Sequence, residues 1–140
     1  MRTPRLVSCI LAALACAVLL SGCGRKAWPE PRLSDDVFAF ENATATLEKG
    51  CITVNADVTG KADKIARVYL ELSSADCPGC PFTPDRRIEF TRASADLRIT
   101  ADKLTLSACG LGNEPLMWRI TAENIHSAIR GTATAVQMVP

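Results

Sequence analysis

From Val37 onward the chain alternates between apolar and polar positions. Ile52, Val54, Ala56 and Val58 alternate with Thr53, Asn55 and Asp57, and Thr59-Gly60 closes the run. A period of two predicts a strand with one buried face. The segment Ile65–Leu72 puts Val68, Leu70 and Leu72 on one face, and Arg87–Arg92 turns Ile88 and Phe90 inward. Leu97 and Ile99 share a face, as do Leu104, Leu106 and Ala108, but the parity shifts between the two sets. A bulge or turn is therefore expected near Asp102-Lys103. Leu116, Trp118, Ile120 and Ala122 alternate with Met117, Arg119, Thr121 and Glu123, and Thr132–Val139 is a last β-rich run. No helical period appears in this region. About six to eight short strands joined by polar turns predict an all-β antiparallel sandwich.

The first residues follow another pattern. Arg2 and Arg5 precede an apolar run from Leu6 to Leu20, broken only by Ser8. That run is 15 residues, short of the ~20 that a spanning helix needs. A basic start, a short apolar stretch and small residues before a cut form the secretory pattern. Leu20-Ser21-Gly22-Cys23 resembles the lipobox of bacterial lipoproteins. The resemblance implies cleavage before Cys23, acylation of Cys23 and firm membrane anchoring, since two acyl chains hold a protein stably where one does not. Gly24 in place of Asp is compatible with the outer membrane, facing the periplasm. Three segments are expected: a signal peptide over 1–22, a lipidated tether over 23–36 and a sandwich domain over 37–140. Pro29 and Pro31 extend the tether, and Trp28 suits a membrane interface.

Removing residues 1–22 leaves 118 residues, with 14 Lys plus Arg against 15 Asp plus Glu. That length fits one domain. The near-neutral balance gives no electrostatic case for nucleic acid and no polybasic patch. Cys9 and Cys16 leave with the signal and lipid occupies Cys23. Cys51, Cys77, Cys80 and Cys109 remain. An even number in an exported domain reads as a disulfide framework with three possible pairings.

Trp118-Arg119-Ile120-Thr121-Ala122-Glu123-Asn124 resembles the penultimate strand of a fibronectin type III domain. The turn from Ile125 to Gly131 and a final Thr/Val-rich strand follow in the expected order. Leu116 stands where that family has Tyr, and Ala56 is nearest to the usual Trp of its second strand. An immunoglobulin-like sandwich of about seven strands is what the resemblance implies. In a type III sandwich the second and fifth strands are antiparallel neighbours. Cys51 opens one and Cys109 ends the other, each on the parity opposite to the apolar set. The resemblance therefore implies a Cys51–Cys109 disulfide.

Cys77-Pro78-Gly79-Cys80-Pro81 allows three readings. One is a local disulfide stapling a turn, and this is the expectation. A redox pair needs a helix N-terminus to lower the first thiol's pKa, yet Phe82-Thr83-Pro84 brings a second proline and no helical pattern. Zinc needs two further ligands; Cys51 and Cys109 could supply them, but they form no second close-spaced pair. His126 reads as a solvated loop residue, Asp35-Asp36 as a charged entry to the domain, and Asp85-Arg86-Arg87 as a solvated turn. No phosphate loop, metalloprotease or serine-hydrolase motif is present. The expected protein is a non-enzymatic binding or spacer sandwich without metal or cofactor. It is held at the envelope membrane by lipid on Cys23 and contacts another envelope protein. Thiol-redox or metal-handling chemistry at Cys77 and Cys80 is the alternative.

Overall fold

The predicted alternation is carried into paired strands in the computed structural model, which describes residues 35–74 and 79–140. In chain order the strands are β1 (Phe38–Glu48), β2 (Cys51–Gly60), β3 (Ile65–Ser74), β4 (Arg86–Thr91), β5 (Leu97–Ile99), β6 (Lys103–Cys109), β7 (Leu116–Asn124), β8 (Thr132–Ala133) and β9 (Gln137–Val139). A single 3-10 turn, Ala62–Lys64, joins β2 to β3. The described chain is all-β, in two antiparallel sheets. One has the order β1-β2-β6-β5. The other runs β4-β3-β7, with β8 and β9 both pairing β7. The first order is that of the A, B, E and D strands of an immunoglobulin sheet, and β3, β7 and the last strands stand as C, F and G.

The inward sets are those the alternation predicts. Ile52 and Val54 of β2 and Leu104 and Leu106 of β6 are fully buried. So are Val68 and Leu70 of β3 and Ile120 of β7, while Trp118 keeps 1% of its surface. Each such side chain contributes roughly 1.5–3 kcal/mol by leaving water. Pairing places Leu70 opposite both Ile88 and Ile120, and Leu72 opposite Trp118.

Local chemistry sets the turns and irregularities. Lys49-Gly50 joins β1 to β2 with both residues at positive φ, 51° and 71°. This is the two-residue type I′ geometry that suits strand twist. At the far end of β2, Gly60 has φ +82°, and a Cβ there would collide with the Val37 carbonyl oxygen. The parity shift before β6 is a tight hairpin turn. The Thr100 N–H donates to the Lys103 carbonyl at 2.8 Å, and the Lys103 N–H to Thr100 Oγ1 at 3.1 Å.

Two features depart from simple alternation. In β1 the register slips between Glu41 and Thr44. Asn42 there takes φ +48° and donates from Nδ2 to Asp57 Oδ2 at 2.8 Å. Two residues then oppose one, a β-bulge, and the inward set changes from Phe38 and Phe40 to Ala45 and Leu47. The expected last strand is broken in two. The Ile120 N–H donates to Thr134 Oγ1 at 3.1 Å, while the Thr134 N–H donates to the Ile120 carbonyl at 2.9 Å. A side-chain oxygen thus takes the place of a ladder carbonyl, and regular pairing lapses until Gln137.

Cys51 and Cys109 are direct partners in the β2–β6 ladder and form a disulfide. The pairing implied by the family resemblance is therefore present. It lies on the outward face, at the end of the sheet carrying the Lys49-Gly50 turn.

Candidate functional site

Charged and aromatic side chains concentrate on the outer face of β4-β3-β7. Odd-numbered positions point outward in all three strands, and register brings them into rows. Glu71 lies between Arg87 and Arg119, and Tyr69 between Glu89 and Thr121. Arg67 lies opposite Glu123 and Thr91.

Glu71 is the centre of this face. It is 7% exposed, and a carboxylate so buried needs paired charge and hydrogen bonds to offset desolvation. Arg119 Nε donates to Glu71 Oε2 at 2.6 Å, and Arg87 Nε approaches Oε1 at 3.5 Å. Each arginine also lies over an aromatic ring. Arg87 sits 3.7 Å above the Tyr69 centroid, and Arg119 sits 5.1 Å above that of Phe82. Stacking of this kind fixes a guanidinium plane and is worth roughly 0.5–2 kcal/mol, depending on exposure.

A second cluster flanks the first. Tyr69 donates from its hydroxyl to Glu123 Oε1 at 3.1 Å. Arg67 approaches Glu89 at 3.3 Å and Glu123 at 3.7 Å. The Tyr69 hydroxyl first, then the neighbouring carboxylates, raise the Arg67 pKa above its ordinary value. These outer pairs are about half exposed and contribute little stability. Thr121 Oγ1 is buried beneath the face with no hydrogen-bond partner among the described residues.

The opposite face of the sandwich differs in kind. The outer side of β1-β2-β6-β5 carries Thr44, Thr46, Thr53, Asn55, Thr105 and Ser107. Thr53 and Ser107 hydroxyls lie 2.9 Å apart, and Thr105 donates to Asn55 at 2.8 Å. Short side chains, some bonded to each other, occupy its centre, with Glu41, Asp57, Lys103 and Arg98 around them, and among the described residues it holds no aromatic ring. At the pole where β1 begins, an open depression of about 340 Å³ is lined by residues including Gly60, Ala62, Asp63 and Arg92. Its arginine is already committed to the Ile65 and Ala62 carbonyls, at 3.0 and 2.5 Å.

The residues singled out in the sequence fall in several places. Cys51 and Cys109 are joined at one pole, so neither is a thiolate able to bind zinc. Cys80 is exposed and disulfide-bonded. Cys77, Cys23, the signal segment and the tether before residue 35 lie outside the described residues. His126 is paired, not simply solvated. Its Nε2 lies 3.6 Å from Asp36 Oδ2, and its backbone N–H donates to Asn124 Oδ1 at 2.9 Å. Asp36 also meets Lys64 at 3.3 Å and accepts from Asn124 through its carbonyl at 2.7 Å, so the charged entry is pinned to the end of β7. Arg86 and Arg87 are not a turn: both belong to β4. Among the described residues, no group of three or more His, Cys, Asp or Glu is arranged to hold a metal ion. The outer-face network was not singled out in the sequence. Its available signal was alternating sign at outward positions of neighbouring strands, Glu71 against Arg87 and Arg119.

No protein-family model matches the chain, and no curated protein matches it. Among solved structures, a candidate carbohydrate binding protein from Bacteroides uniformis is similar at 18% identity and a TM-score of 0.46. The match covers 73% of this chain and 56% of that one, so this chain spans little more than half of that protein. At this identity and score, the likeness adds nothing to what the strand order shows.

Proposed function

We propose that this chain is a lipid-anchored, non-enzymatic binding domain of the bacterial cell envelope, working through the outer face of β4-β3-β7. One observation carries the binding reading. Arginine, glutamate and tyrosine side chains on that face are held in set positions by mutual contacts while half-exposed arginines still meet solvent. A surface with its side chains already ordered loses less entropy on association. Aromatic residues and arginine are also the types enriched in protein interfaces. The partner fitting this reading is another envelope protein, met on the periplasmic side of the outer membrane. Fold alone does not assign that role; the side chains on the face favour it.

Anchoring rests on Cys23 and the tether that follows it. The redox alternative lacks one physical support, because residues 80–84 form no helix that would lower a thiol pKa. Fatty-acid labelling and membrane fractionation test the anchor. Wild-type chain is expected in the membrane fraction, carrying label, and Cys23→Ser is expected to lose both. A wild-type chain that is unlabelled and extracted by salt alone would refute lipid anchoring.

A further inference from the structure

Arg119 hydrogen-bonds Glu71 through Nε at 2.6 Å, and Arg87 approaches the same carboxylate from the opposite strand, its Nε 3.5 Å from Oε1. That choice of atom has a consequence. A guanidinium carries five N–H donors, four of them on the terminal nitrogens. Neither arginine donates from Nη to another group among the described residues. Arg87 is 54% exposed and Arg119 is 34% exposed, so these donors meet water. Stacking on Tyr69 and Phe82 holds the two planes, and Glu71 holds them side by side. We infer that Arg87 and Arg119 form a recognition site for a carboxylate presented by a partner, such as an acidic side chain or a chain terminus.

The charge balance selects among oxyanions. Arg87, Glu71 and Arg119 together carry one net positive charge. Glu89 and Glu123 lie on the same face, with only Arg67 to balance them. A singly charged carboxylate neutralises the triad, whereas a doubly charged phosphate adds repulsion from the flanking glutamates. The planar forks of arginine also match carboxylate geometry, and lysine does not reproduce that bidentate contact. Glu71 provides a built-in acidic reference, since its carboxylate already lies between the two guanidinium groups.

This inference rests on the outer face being the contact surface. It is tested with the full chain in detergent micelles by following arginine side-chain NMR signals. Sodium acetate is titrated against sodium chloride at equal ionic strength, with sodium phosphate as a second arm. Saturable shifts of the Arg87 and Arg119 signals are expected with acetate and not with chloride. Arg119→Lys keeps the positive charge beside Glu71 but removes the fork, and is expected to weaken acetate binding about tenfold. Arg98→Lys, on the other sheet, should leave it unchanged. Shifts that never saturate, or that chloride reproduces, would overturn the site, and tighter phosphate binding would overturn the carboxylate assignment. A face that contacts a partner in cells yet shows no saturable acetate binding defeats this inference alone and leaves the broader reading standing.

Discussion

Replacing Trp118 with alanine is expected to lower stability by about 3–5 kcal/mol. Trp118 keeps 1% of its surface and is the largest of the fully buried side chains. It sits near the start of β7, opposite Leu72 on one side and Gln137 on the other. Close-packed neighbours on paired strands can close little of the cavity that truncation would leave. Domains of ordinary size are stable by only about 5–15 kcal/mol, so this one change removes a large share of the total. Equilibrium urea unfolding measures it. A loss below about 1 kcal/mol would mean that Trp118 is not a core residue.

The second large effect is expected from the Cys51–Cys109 bond. Its cysteines are 58 residues apart, and closing a loop of that size restricts the unfolded chain by about 4 kcal/mol in chain-entropy terms. The double variant Cys51→Ala with Cys109→Ala keeps the β2–β6 ladder but frees that loop. Its unfolding midpoint in denaturant should fall well below that of the oxidised wild type. An unchanged midpoint would show that the bond adds nothing beyond the ladder it bridges.

The sequence discloses some elements of this fold fully and others poorly. β2 and β7 alternate without interruption, and their inward residues are those that period two predicts. The Cys51–Cys109 pair was legible only through the resemblance to a type III sandwich, which implies that the second and fifth strands are antiparallel neighbours; parity alone puts both cysteines outward and leaves the pairing open. β1 was not readable in detail, because the bulge after Glu41 moves the inward set from even to odd numbers. The split between β8 and β9 depends on one threonine hydroxyl replacing a ladder carbonyl, which leaves no periodic trace.

The candidate site was the least legible part. Tyr69 and Glu71 occupy outward positions of β3, which period two assigns to solvent. They are buried because long arginines on both neighbouring strands fold over them. That covering is a cross-strand property, visible only once β4 and β7 are known to flank β3. Read singly, Asp85, Arg86 and Arg87 resemble a solvated turn. Read in register, Arg87 is the half-exposed partner of a buried carboxylate.

Site-specific photo-crosslinking in intact cells distinguishes a partner bound at the β4-β3-β7 face from one bound elsewhere. A crosslinking residue is placed at Thr91 or Met138, on the outer face of the second sheet but outside the arginine network. Parallel chains carry it at Thr46 or Asn55, on the outer face of the first sheet. One discrete adduct is expected from Thr91 and Met138 and none from Thr46 and Asn55. Adducts from Thr46 and Asn55 with none from Thr91 and Met138 would contradict binding through the β4-β3-β7 face.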